Sequence, residues 1–325
     1  MPIVPATAAT IKAAALALAR GEIVAFPTET VYGLGANALD GTAVAKIFAA
    51  KERPRFNPLI VHVPGLAEAD TYGMANGPAR KLAEAFWPGP LSLVLEKRAS
   101  CGIADLVTSG LDTIALRSPA HPVARALLAE VKLPIAAPSA NRSGRVSPTV
   151  AAHVAAELDD VPAMILDGGA CKHGIESTVI GLVGDAPVLL RLGAIPRGDI
   201  ERVLGHKLYA PAPDAAVASP GQLATHYAPD TKLRLEATCV NPHEALLAFG
   251  SDVPKGARIT LNLSESGNLE EAAARLFGAL RELDEAGVSA IAVMPIPDRG
   301  LGEAINDRLR RAACGAPPRR ASDQS

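Results

Sequence analysis

The stretch EIVAFPTETVYGLG, residues 22–35, decides the fold. EIVAF reads as a short buried strand, and Pro27 ends the ladder because it has no N–H to give. Thr28, Glu29 and Thr30 follow, so hydroxyl and carboxylate groups are left at the strand's edge. Gly33 and Gly35 are expected to let the backbone turn away. A strand that empties into short polar groups is the kind that lines the ligand crevice of an open α/β sheet.

The same order continues on both sides. TAATIKAAALALAR, residues 7–20, is rich in helix formers and is stopped by Gly21. Asp40 caps a helix through AVAKIFAAK, and NPLIVHV reads as the next strand with Pro58 at its start. Further strands are expected at 91–96, 112–117, 133–137, 163–167, 177–183 and 187–193, and helices at 78–86, 121–131, 149–158 and 198–204. The chain is therefore read as α/β, with a wide, twisted, mixed sheet and packed helices over residues 1–205.

Length and composition fit two folded domains, since 325 residues exceed what one core usually absorbs. Hydrophobic residues make up 49% and aromatics only 3%, so the cores must be built from Ala, Val, Leu and Ile. A formal charge of -2 argues against wrapping nucleic acid by bulk electrostatics and leaves only local RNA contacts. The four cysteines are far apart and suggest neither a zinc knuckle nor a disulfide framework. No apolar run approaches the ~20 residues that span a bilayer, and no secretory leader is legible, so the cytoplasm is the expected setting.

HKLYAPAPDAAVASPGQLAT, residues 206–225, has no convincing period and reads as a linker, with 206–230 taken as a linker or lid. Beyond it, strands are expected at 232–237, 257–263 and 288–296, and helices at 241–248, 269–286 and 301–313. Residues 231–315 then form a smaller, parallel α/β domain, and 316–325 a frayed tail.

Three loops carry candidate chemistry. KERPRFNPLIVH, residues 51–62, places Lys51, Arg53 and Arg55 at alternate positions, either as a polyanion clamp or as a solvated basic turn. APSANRSGRVSPT, residues 137–149, offers hydroxyls and backbone amides suited to phosphate oxygens, or is an ordinary Ser/Pro turn. DGGACKHGIESTVIGL, residues 167–182, ends in Glu176, Ser177 and Thr178 at a strand entrance. Arg117 and Arg191 would add positive charge at comparable positions. Glu29, Asp167 and Glu176 are candidate carboxylates with no fixed acid/base partner. No Walker A loop, GxGxxG, HExxH or GxSxG pattern is present. Residues alone thus indicate an ATP-like or phosphorylated ligand held by hydroxyls, amides and cations.

In order, FPTETVYGLG, KERPRFNPLIVH, PSANRSGRVSPT, GIESTVI, SPGQLATHYAP and MPIPDRGLGEAINDRLRRAA resemble the Sua5/YciO/YrdC family in its two-domain Sua5 form, over nearly the full length. Glu52 stands where glycine is frequent, Gln222 where methionine often follows SPG, and Leu192 where proline is common. The resemblance implies a YrdC-like catalytic domain and a Rossmann-like C-terminal domain. It implies a nucleotidyltransferase that makes L-threonylcarbamoyl-adenylate and pyrophosphate from L-threonine, bicarbonate or CO2, and ATP, for the t6A37 modification of tRNA by downstream proteins.

Carried over position by position, the family pattern puts Thr30, His62, Arg117, Ala137 and Ser177 around threonine. Arg53, Asn57, Thr113, Ser139, Ser147, Arg191 and Tyr227 would hold ATP. Lys51, Arg53, Ser139 and Asn141 would stand closest to the chemistry. Mg2+ is expected on the phosphates with no protein ligand named. Two alternatives remain: a double-stranded RNA-binding module, and another carbamoyl-adenylate chemistry that uses carbamoyl phosphate.

Overall fold

Thr7 opens the first helix, Ala8–Ala19, its hydroxyl accepting the Thr10 N–H while the Thr10 side chain answers to the Thr7 backbone. In the same way Asp40 accepts from Thr42 and Ala43 at the start of Gly41–Lys51. Glu52 then caps that helix at a left-handed φ of 51°, the conformation that makes glycine frequent at this place. The computed structural model describes residues 2–158, 161–184, 186–211 and 226–315. The chain divides into two units, Met1–Arg142 with Ser147–Gln222, and Ser143–Val146 with Leu223–Ser325.

Among the described residues, the first unit carries an 11-stranded mixed sheet. Its path runs Ile3–Pro5, Met164–Asp167, Val24–Phe26, Gly33–Asn37, Ile135–Ala136, Ile60–His62, Thr113–Arg117, Leu91–Lys97, Thr178–Gly181 and Val188–Arg191, with Gly73–Met74 beside Leu91–Lys97. Alternation sorts the apolar side chains onto two faces. Ala25, Leu34, Val61, Leu93, Ile114, Leu116 and Ile180 join one core with Val44, Ile47, Leu82, Val154 and Ile200 from the helices. Val24, Phe26, Ile135 and Leu166 face the other way, against Leu18 of the first helix and Leu127 and Leu128 of Pro122–Val131.

The opening stretch departs from expectation at its glycines. GLGAN is itself a strand, Gly33–Asn37, antiparallel to Val24–Phe26, and neither Gly33 nor Gly35 has positive φ. Gly35 is needed for proximity: a Cβ there would lie 2.7 Å from Phe26 Cε1 and 2.9 Å from Ile135 Cγ2. The short strand Ile3–Pro5, parallel to Met164–Asp167, was also not anticipated.

The second unit holds a four-stranded parallel sheet in the order Leu233–Arg234, Ile291–Val293, Ala245–Ala248, Ile259–Asn262. Helices Leu269–Asp284 and Leu301–Ala313 follow the expected spans. The helix expected at 241–248 is not formed. Glu244 accepts from Asn241 and Arg234, which closes a turn, and ALLA then enters the sheet between two partners. All four of its residues are buried, and a central parallel strand reads as an unbroken apolar run that helix propensity alone misassigns.

Candidate active site

Strand alternation places several of the expected site residues on one face of the first unit's sheet. Ile60, Val94, Ala115 and Val179 form a small apolar cluster there, and the residues two places along from them are His62, Ser92, Thr113, Arg117 and Ser177. His62 and Arg117 are direct neighbours in register, because Ile60–His62 runs parallel to Thr113–Arg117. Thr113 lies on the same face four residues earlier, about 13 Å away at ~3.3 Å per residue.

At the C-terminal end of these strands Arg117 is 4% exposed. Its Nη2 donates to Glu29 Oε1 at 2.5 Å and its Nε to Gly89 O at 3.3 Å. Glu29 Oε2 accepts the backbone N–H of Ala120 at 2.9 Å and of His121 at 3.2 Å. Burial pushes the Glu29 carboxyl up, but the charge and hydrogen bond of Arg117 and the backbone donors outweigh it and hold it at about 2. His62 is driven the other way, to about 3, first by burial and then by the Arg117 charge. The imidazole is therefore neutral, and its buried Nδ1 has no hydrogen-bond partner among the described residues. Thr30 is fully buried with its hydroxyl 2.8 Å from that of Thr28, which also donates to Val31 O. Ala137 is fixed by its N–H to Ile60 O at 2.9 Å.

A second knot forms around Ser177. Its hydroxyl is 2.8 Å from Ser92 Oγ and receives Arg191 Nη2 at 2.9 Å, while Arg191 Nε donates to Ser177 O at 3.0 Å. Ser147 donates to Glu176 Oε1 at 2.5 Å. Gly193 lets this segment close, since a Cβ there would meet Ser177 C and Thr178 N at 2.4 Å. Ser92 was missed by sequence reasoning. Its signal was a hydroxyl at an inward position of LSLVLE, where a buried polar group needs a partner.

The basic loop does not form one exposed clamp. Lys51 is 1% exposed at the end of its helix, and its Nζ donates to Ser139 O at 2.6 Å and to Asn141 O. Burial, then the charge of Arg53, hold its pKa well below the usual lysine range. Arg53 is also buried and donates to Asn57 O at 3.1 Å and Pro58 O at 3.0 Å, whereas Arg55 is exposed. Asn57 is 1% exposed, and neither its Nδ2 nor its Oδ1 has a partner among the described residues. A buried amide in that state calls for a ligand or water. Ser139 is half-buried and bridges Gly33, and Asn141 donates to Arg142 O at 2.8 Å.

Tyr227 belongs to the second unit. It is 1% exposed at φ 64°, stacked on Phe277 at 5.5 Å and beneath the Arg308 guanidinium at 5.2 Å, with His226 4.0 Å away. Residues 219–225 of SPGQLATHYAP, including Gln222, lie outside the described residues. Among the described residues, no group of three or more His, Cys, Asp or Glu is gathered as a metal site.

Two family models match the chain: Sua5_yciO_yrdC, described as telomere recombination, over residues 16–193, and Sua5_C, described as the C-terminal domain of threonylcarbamoyl-AMP synthase, over 195–314. A Bacillus subtilis protein named threonylcarbamoyl-AMP synthase is 43% identical over 94% of this chain and 93% of its own. One of the same name from Pyrococcus abyssi is 41% identical over 93% of this chain and 94% of its own. The crystal structure of P. abyssi Sua5 complexed with L-threonine superposes with a TM-score of 0.86 at 39% identity, covering 95% of both chains. By sequence over both units and by fold, the chain belongs to the Sua5/YciO/YrdC family in its two-domain Sua5 form.

Proposed function

We propose that this chain joins L-threonine, bicarbonate or CO2, and ATP into L-threonylcarbamoyl-AMP and pyrophosphate. The observation that carries the reading is the buried Arg117 guanidinium, in register with neutral His62; the family pattern groups both with Thr30, Ala137 and Ser177 around threonine. A planar guanidinium fork in a dry site suits a carboxylate. Arg53, Asn57, Thr113, Ser139, Ser147, Arg191 and Tyr227 are assigned to the nucleotide by the family pattern. Asn57, whose buried amide lacks partners, is the assignment best supported by geometry.

In the proposed reaction the unprotonated threonine amine takes up CO2, forming the N–C bond of a carbamate and releasing one proton to solvent. A carbamate oxygen then attacks the α-phosphorus of ATP, the bond to the bridging oxygen breaks, and pyrophosphate leaves with that electron pair. The residues at hand suit positioning rather than proton transfer. His62 is held too low to accept a proton near neutrality, and burial pushes the Cys171 thiol up to about 12. Alignment and charge stabilisation are what transfer at phosphorus chiefly requires. The Lys51 Nζ ties helix Gly41–Lys51 to the Ser139–Asn141 loop and so fixes that loop's shape.

Mg2+ would bind the nucleotide phosphates and neutralise charge there; no residue of the chain is assigned to it. The cytoplasm and delivery of the product to tRNA-modification proteins complete the proposal. Pyrophosphate release is measured with all three substrates and with each omitted. It is expected to require every one; turnover without threonine sinks the reading, and turnover on carbamoyl phosphate favours the alternative chemistry.

A further inference from the structure

Glu29 is a buried carboxylate that the proposed chemistry does not use. It accepts three hydrogen bonds on two oxygens: Arg117 Nη2 on one, and the Ala120 and His121 backbone N–H groups on the other. Its own backbone carbonyl is held by His173 N–H at 2.8 Å, so the side chain projects from a fixed base. Arg117 is held on a second side by Gly89 O. Nε and Nη2 are thus oriented, and a guanidinium has further N–H groups in the same rigid plane.

We propose that Glu29 is a positioning residue for the amino-acid substrate: its carboxylate fixes the Arg117 guanidinium plane, so that the remaining N–H groups of Arg117 meet the carboxylate of L-threonine. The inference rests on the function proposed above. Only an acceptor at both oxygens fits. A glutamine of the same length brings an NH2 that faces either Arg117 or the Ala120–His121 pair, donor against donor. Glu29 also compensates the Arg117 charge.

The test is calorimetric titration of the full chain with L-threonine and, separately, with ATP. The variants are Glu29→Gln, Arg117→Ala and the double substitution. Glu29→Gln is expected to weaken L-threonine about tenfold while ATP affinity stays within about twofold, and to add nothing to the loss in Arg117→Ala, because it acts through that residue. Wild-type chain that binds no L-threonine overturns the underlying function. Wild-type binding with an unaffected Glu29→Gln overturns this inference alone, as do equal losses for both ligands or multiplicative losses in the double variant. If Glu29→Gln does not fold, Glu29→Asp, which keeps the charge and loses one methylene, is read against the same outcomes.

Discussion

Removing Arg117 acts twice, on the ligand and on the fold. Arg117→Ala is expected to lower threonine-dependent pyrophosphate release about a hundredfold, the loss of ~3 kcal/mol that follows removal of a preorganised charged donor. It also leaves Glu29 buried without its cation, which costs about 3–5 kcal/mol of stability. Urea midpoints separate the two effects: the double variant with Glu29→Ala should recover stability and not activity. His62 is depressed from 6.5 to about 3, so the unfolded chain takes up a proton that the folded chain refuses, and stability falls as pH drops below 6.5. Glu29, depressed from 4.5 to about 2, adds its loss below 4.5. Between pH 7 and pH 5 the wild type should lose about 2 kcal/mol more than His62→Gln, read from urea unfolding at each pH. Equal slopes would remove His62 as the cause. The residue types were legible in the sequence; their pairing was not. Nothing in FPTET says that its glutamate meets an arginine 88 positions on, because that contact exists only once two distant strands bring it about.

Elements show where periodicity informs and where it misleads. The strands at 91–96, 112–117 and 163–167 fall within a residue or two of expectation, because β-rich runs bounded by turn residues have one reading. ALLA fails because alanine and leucine fit a helix or a buried parallel strand equally, and its two neighbours in the sheet decide. Glycine was the other blind spot. Gly35 and Gly193 sit at ordinary φ, so their role is to leave room for Phe26 and for the Ser177–Thr178 backbone. Gly193→Ala puts a methyl against main-chain atoms that cannot rotate away. It is expected to cost about 3 kcal/mol, the upper part of the overpacking range, and to raise the KM for threonine by displacing Ser177 and Arg191. Gly35→Ala presses on a ring that can shift, and about 1–2 kcal/mol is expected. Thermal melts rank the two; a Gly193→Ala chain as stable as wild type would show that the segment 176–178 yields.

At the scale of the whole chain, the division into two units is not a single cut. Ser143–Val146 belong with the C-terminal residues: Gly144 O accepts Ala228 N–H, Arg145 pairs with Asp230, and Val146 O accepts from Arg281. No local pattern in RSGRVS announces this, since its partners follow more than 80 residues later. The described residues on either side of 212–225 are held in place. Tyr209 bridges Val188 in the first unit, and Tyr227 packs against Phe277 and Arg308 in the second. The segment 212–225 lies outside the described residues, and its proposed role as a lid is open to a direct test. Replacing 212–225 with a Gly/Ser segment of equal length keeps the tether and the reach, on the order of 5–6 Å times the square root of its length, while removing the side chains of APDAAVASPGQLAT. Both units should then unfold as in the wild type. Threonylcarbamoyl-AMP formation should fall about tenfold or more, because an adenylate must be kept from water until it is released. Deleting 206–225 outright should give the same direction, complicated by the loss of the Tyr209 bridge. Unchanged turnover in the Gly/Ser chain would mean that the linker only tethers, and Tyr227 would then have to be reassigned to the core in which it is buried.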